Sequence, residues 1–113
     1  MSDTVFQKII NREINADIVF EDDQSLAFHD LNPQAPLHVL VIPKRAIARL
    51  TDAGDDDGAL LGHLMLVART VAADAGYANA FRLAVNNGED AGQSVFHLHI
   101  HVLAGRVFGW PPG

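Results

Sequence analysis

Two patterns of apolar and polar positions dominate this chain. Residues 95–103 read Val-Phe-His-Leu-His-Ile-His-Val-Leu, with His97, His99 and His101 alternating strictly with Leu98, Ile100 and Val102. A period of two predicts a half-buried β-strand whose histidines share one face, spaced by roughly 6.6 Å, while the aliphatic residues enter the core. Farther upstream, Leu60, Leu61, Leu64, Met65, Val67, Ala68, Val71, Ala72 and Ala75 fall on one broad helical face. That spacing predicts a long amphipathic helix over residues 59–75, with Gly76 suited to its C-terminal stop.

Weaker patterns fill in the remainder. Phe6, Ile9 and Ile10 follow helical spacing after Ser2, Asp3 and Thr4, any of which can cap, so a short N-terminal helix is expected. Apolar runs at residues 17–21 and 26–31 flank a polar turn at 22–25 and predict a hairpin. Residues 32–36 carry Pro33 and Pro36 and form a loop, because proline lacks the donor a central strand needs. Residues 37–42 predict a third strand ended by Pro43, and 81–86 a fourth. Residues 44–58 read as irregular, with one helical turn around 46–50. The expected fold class is α+β: a five-stranded antiparallel sheet with one long helix and a short N-terminal helix.

Composition narrows the options. A chain of 113 residues, 49% hydrophobic and 19% charged, fits a single domain spanning residues 1–113. A formal charge of −6 argues against nucleic acid or an anionic membrane as partner, though not against a small phosphorylated ligand. With no cysteine, disulfides and thiolate–zinc sites are excluded. No apolar run has membrane-spanning length and no signal-like N-terminal pattern is present, so a cytoplasmic location is expected. The Asp55-Asp56-Asp57 cluster lacks the spacing and closing glutamate of a calcium loop and is read as favouring the helix dipole.

Three polar rings on one face make a poor core, and so point to binding or catalysis. Imidazole serves as metal ligand, acid–base group or nucleophile. A His-x-His pair presents two nitrogens to a metal, with His29, Asp30 and His38 available as supplements, but nothing in the spacing fixes their geometry. Phosphate chemistry is the other reading. The loop at residues 86–94 carries Gly88, Gly92 and Ser94 directly before the histidines. Taken alone the segment reads as a plain hairpin loop; in the phosphate reading its backbone N–H groups and hydroxyl hold phosphate oxygens beside a nucleophilic nitrogen.

His97-Leu98-His99-Ile100-His101-Val102-Leu103 resembles the alternating motif of the histidine triad (HIT) family. Phe28-His29-Asp30-Leu31, Pro33-Gln34-Ala35-Pro36, His38, Val41-Ile42-Pro43-Lys44, Gly92-Gln93-Ser94 and the terminal Trp110-Pro111-Pro112-Gly113 are similar to its Hint branch, the purine nucleoside phosphoramidate hydrolases. The resemblance implies a hydrolase that cleaves the P–N bond through a nucleotidyl-histidine, with no metal and no cofactor. It implies that His99 is the nucleophile, that His101 faces the phosphate or leaving group, and that His97 and His38 give support. Gly92, Gln93 and Ser94 are the implied phosphate loop, with Ser94 assisting the leaving amine. Asp30 is implied to hold the ribose and Asn86 to make a further sugar or phosphate contact. Phe6, Ile14, Ile18, Phe28 and Leu31 are implied to form the purine slot. A homodimer is also implied, with the Trp110 tail reaching the partner's site. Two other functions stay open: a purine-nucleotide-binding or scaffolding protein, and a dinucleoside polyphosphate hydrolase, which the Trp-Pro-Pro-Gly ending disfavours. By composition alone Phe6, Ile18 and Phe28 are core residues and Asp30 a surface carboxylate. His29 has no matched role, and His63 reads as a solvated or interface residue.

Overall fold

The computed structural model describes residues 3–113. Helix α1 is Val5–Ile10, and Thr4 caps it by accepting the Gln7 N–H at 3.1 Å. Ser2, the other hydroxyl proposed to cap, lies outside the described residues. Strands follow at β1 Ile18–Glu21, β2 Ser25–His29 and β3 Leu37–Pro43. Helix α2 is Gly58–Asp74, and it leads to β4 Phe81–Ala84 and β5 Ile100–Ala104. The spatial order is β1-β2-β3-β5-β4 with every pair antiparallel. The architecture is therefore the expected α+β fold, and β5 lies between β3 and the edge strand β4.

Strand β3 is buried along its whole length because both faces of the sheet are covered there. Val39 and Val41 pack with Leu64, Val67, Ala68, Val71 and Ala72 of α2, and β5 adds Ile100, Val102 and Ala104. Leu40 and Ile42 point the other way, into a second cluster with Phe6, Ile9, Leu26 and Phe28 beneath α1. Each fully buried aliphatic side chain in these layers stabilises by about 1.5–3 kcal/mol. Met65 does not join the helix's buried face. It is half exposed, as is Leu66, because both rotate away from the stripe set by Leu64, Val67, Ala68 and Val71.

The end of α2 follows the sequence closely. Gly76 adopts φ +94°, its N–H reaches the Ala73 carbonyl, and the Tyr77 N–H reaches Ala72. These two bonds form a Schellman stop, which needs a left-handed residue at that point. The other end departs from expectation. Asp57 is the N-cap but makes no capping bond; it accepts from the Gly54 N–H and pairs with Arg45. The helical turn expected at 46–50 is replaced by two 3₁₀ turns, Leu50–Asp52 and Asp55–Asp57. Among the described residues no helix is long and apolar enough to cross a membrane.

The histidine strand is shorter than its alternation predicts. Only His101 belongs to β5; His97 and His99 precede it in irregular backbone. The physical reason is competition from residues 43–48. The Leu98 N–H donates to the Ile47 carbonyl at 2.7 Å, the His97 ring bonds the Pro43 carbonyl at 2.8 Å, and the Gln93 amide donates to Ala48 at 2.8 Å. These bonds stitch the approach to β5 onto the loop after β3.

Candidate active site

The second layer of the sheet opens into a cavity of about 270 Å³ between α1, the start of the loop after β2, and the histidine segment. That is close to the lower range for small-molecule sites. Phe6, Ile14, Phe28 and Leu31 form apolar walls, while Asp30, Ser94, His99 and His101 supply the polar side. Period two explains the placement of His101: it lies opposite Leu40 in the β3–β5 register, on the same face and one step from His38. Phe6 from α1 packs edge-on against Phe28 and against the His99 ring at 5.1 Å, closing the apolar end.

Hydrogen bonds assign a tautomer to each imidazole. His99 Nδ1 lies 2.7 Å from the His97 carbonyl, so Nδ1 carries the proton and Nε2 keeps a bare lone pair. His97 Nε2 donates to the Pro43 carbonyl. His38 Nδ1 accepts the backbone N–H of Gln34 at 3.0 Å, which puts the His38 proton on Nε2. That Nε2–H faces His101 Nδ1 at 2.9 Å and the Asp30 carboxylate at 3.5 Å. His101 in turn carries its proton on Nε2.

All four rings are held neutral. Burial depresses the pKa of His38, His97 and His99 below the usual imidazole range, with Asp30 partly countering this at His38 and His99. His101 falls furthest, to about 4, through burial first and then repulsion from His99 and His38. No lysine or arginine lines the cavity. An anionic ligand there would meet neutral donors and would itself raise imidazole basicity.

The glycine loop differs from the expected phosphate cradle. Gly88 and Gly92 are required for their positive φ, +93° and +96°, rather than for close approach of a ligand. The Gly92 N–H is spent on the Glu89 carbonyl and the Gln93 N–H on Gly88. Gln93 is buried, with its side chain bonded to Gly88, Ala48 and Val95. Gly92 and Gln93 thus shape the loop from behind, and only Ser94 of the three reaches the cavity. Among the described residues Ser94 has no hydrogen-bond partner for its hydroxyl or its N–H.

Other expected residues are dispersed. Asn86 lies beside Gly92 and outside the cavity wall. Ile18 packs on the core cluster behind the cavity, because the register shift between Ile18 and Phe20 puts it on the α1 side while Phe20 joins the α2 side. His97 is buried behind His99, and its backbone carbonyl accepts the His99 Nδ1–H. Trp110 is 84% exposed and touches no part of the cavity of its own chain. His63 is not free: it bonds Asp22 at 2.7 Å and ties α2 to the β1–β2 turn. That bond and one from Ser25 offset burial and bring the Asp22 pKa to about 2. Val5, Ile9, Asn15, Ala16, Leu40 and Val95 line the cavity without having been singled out for it. Ile9 follows Phe6 by three on a helix and Leu40 follows His38 by two on a strand, so periodicity carried both signals.

Asp30, His38 and His101 bring one potential metal ligand each within 4.8 Å of one another. The donor chemistry does not suit a cation. A metal needs the lone pair of His38 Nε2, yet the Gln34 N–H already occupies Nδ1, so the neutral ring must keep its proton on Nε2. The cluster is fitted to share a proton.

The fold and site together define a small α+β domain that presents neutral, tautomer-locked histidines to a half-apolar cavity. This chain belongs to the HIT family, whose domain matches residues 11–108. It is 61% identical to an uncharacterized HIT-like protein of Synechocystis sp., over 98% of this chain and 97% of that one. A HIT family hydrolase from Legionella pneumophila superposes with a TM-score of 0.96 at 45% identity, covering 98% of this chain and all of that one. A histidine triad protein from Clostridium difficile gives 0.91 at 43% identity, with 96% of each chain covered.

Proposed function

We propose that this protein is a hydrolase that cleaves the P–N bond of purine nucleoside phosphoramidates through a covalent nucleotidyl-His99. The observation that carries this reading is the His99 tautomer: its Nδ1–H is held by the His97 carbonyl, leaving Nε2 bare on a ring that lines the cavity. The Legionella protein described as a hydrolase adds support for the reaction class. In this scheme the purine lies among Phe6, Ile14, Phe28 and Leu31, and Asp30 holds the ribose. Ser94 and His101 meet the phosphate. The substrate's negative charge raises His101 basicity, so a proton is taken up at Nδ1 and the His38 Nε2–H turns to Asp30.

The His99 Nε2 lone pair forms a bond to phosphorus as the P–N bond breaks. The departing nitrogen takes the His101 Nε2 proton. Water then attacks phosphorus and gives its proton to His101 Nε2, releasing the nucleoside monophosphate and freeing His99. Desolvation and fixed donors stabilise the transferring phosphoryl group in place of a cation.

Steady-state hydrolysis of an AMP-amine, compared with AMP affinity by calorimetry, tests the reading. Multiple turnovers are expected. Tight AMP binding without turnover would make the chain a nucleotide-binding protein instead.

We also infer a homodimer. Strand β4 pairs only with β5 and leaves its outer edge open, while Met65, Leu66 and Val85 stand exposed. Sedimentation equilibrium is expected to give the mass of two chains, and a single-chain mass at micromolar concentration would refute the pairing.

A further inference from the structure

The loop between β2 and β3 is held at several points, and one of them lies far from the cavity. Gln34 donates its N–H to His38 Nδ1 and its side-chain amide to the Asn32 carbonyl, while Asn32 donates its N–H to Asp30 Oδ1 at 2.8 Å. The backbone carbonyl of Gln34 accepts from Arg106 Nε at 3.0 Å. Arg106 lies just beyond β5, two residues after its last position, and it is itself fixed. Its guanidinium stacks on Phe108 at 4.3 Å, with Arg82 on the same ring at 5.1 Å. Next to it Gly105 presses so closely on Pro36 that an added Cβ would stand 2.8 Å from the proline ring. The segment after β5 is thus clamped to the loop that sets the His38 tautomer.

From this chain of contacts we propose that Arg106 is a positioning residue: by holding Gln34 it locks His38 with its proton on Nε2, aimed at His101. The proposal rests on the reading of His38 and His101 as the proton-handling pair. Without Arg106, the Gln34 N–H is released from Nδ1 part of the time, and His38 is free to carry its proton on either nitrogen. A ring protonated on Nδ1 presents a bare Nε2 to the bare Nδ1 of His101 in the resting pair, and it has no Nε2–H to give the Asp30 carboxylate once His101 takes up its proton. Asp30 and Leu31 stand on the same loop and line the cavity, so affinity shares in the kinetic effect and the His38 tautomer is the readout that isolates the role of Arg106.

The test is nitrogen NMR of the His38 ring together with kinetics on AMP-amine. Arg106→Gln is expected to show a mixture of His38 tautomers where the parent shows only the Nε2–H form. Its kcat/KM is expected to fall about fivefold, the scale of one exposed charge-assisted hydrogen bond. Arg106→Lys, which keeps a cationic donor, should restore most of both. Arg82→Gln frees Gly109 and one face of Phe108 but leaves Gln34 untouched, so it should match the parent. An unaltered His38 tautomer in Arg106→Gln would overturn the proposal, as would an equal change in Arg82→Gln. Should the parent fail to hydrolyse AMP-amine, the proposed reaction falls, while the tautomer readout still decides the role of Arg106.

Discussion

Substitution of His99 by Asn is expected to lower AMP-amine hydrolysis by roughly 10³-fold or more while AMP still binds within a few-fold of the parent affinity. His99 is the ring whose lone pair is bare at the cavity, because its other nitrogen is committed to the His97 carbonyl. Asparagine keeps a polar group near that carbonyl but offers no nucleophile of comparable strength. The purine walls, Phe6 and Phe28, stay in place, so affinity survives. Because His99 also packs on Phe6, circular dichroism of the variant must show the parent fold before turnover is compared. Residual turnover within tenfold of the parent would move the nucleophile to another group.

The second large effect concerns pH. Four imidazoles are buried neutral, so their pKa values in the folded chain lie below the unfolded value near 6.5. Between those limits the unfolded chain binds more protons, and stability must fall as pH falls. The full contribution is present above pH 6.5 and is lost on the way down to the folded values, about 4 for His101. Each fully desolvated ring would remove up to about 1.4 kcal/mol per pH unit, and partial solvent access reduces this. His101 alone is expected to remove up to about 2 kcal/mol from pH 6.5 to 5, with His38, His97 and His99 adding to the fall in the same direction, read from urea midpoints. Over the same window kcat/KM should rise as pH falls, because turnover needs the proton that His101, held near 4 in the free protein, takes up with the substrate, while burial holds His99 below the ordinary imidazole range. Constant stability from pH 7 to 5 would mean that these rings are solvated.

The outcome of reading the sequence differs by the range of the interactions involved. The apolar run of β3 ended by Pro43, period two in β5, the helical stripe of α2 and the Gly76 stop were all legible, because each reflects a local geometric rule. The shortening of the histidine strand was not. It depends on bonds from His97, Leu98 and Gln93 to residues 43–48, a stretch without any periodic signal. The same limit applies to Gly92 and Gln93. Their spacing before the histidines resembles a phosphate cradle, yet the turn they build uses up their own N–H groups. His63 looked solvated because its partner, Asp22, is 41 positions away. The ranking of the three histidines came from family resemblance, whereas the tautomers that set them apart came from carbonyls at Pro43 and His97 and the N–H of Gln34.

The central claim is that phosphorus passes through a bond to His99 before water reaches it. Two successive in-line displacements retain configuration at phosphorus, and one inverts it. Hydrolysis of a single diastereomer of a P-chiral AMP thiophosphoramidate in isotopically labelled water therefore reads the claim directly. Retention is the predicted result; inversion would mean that water attacks in one step and that His99 is not the nucleophile.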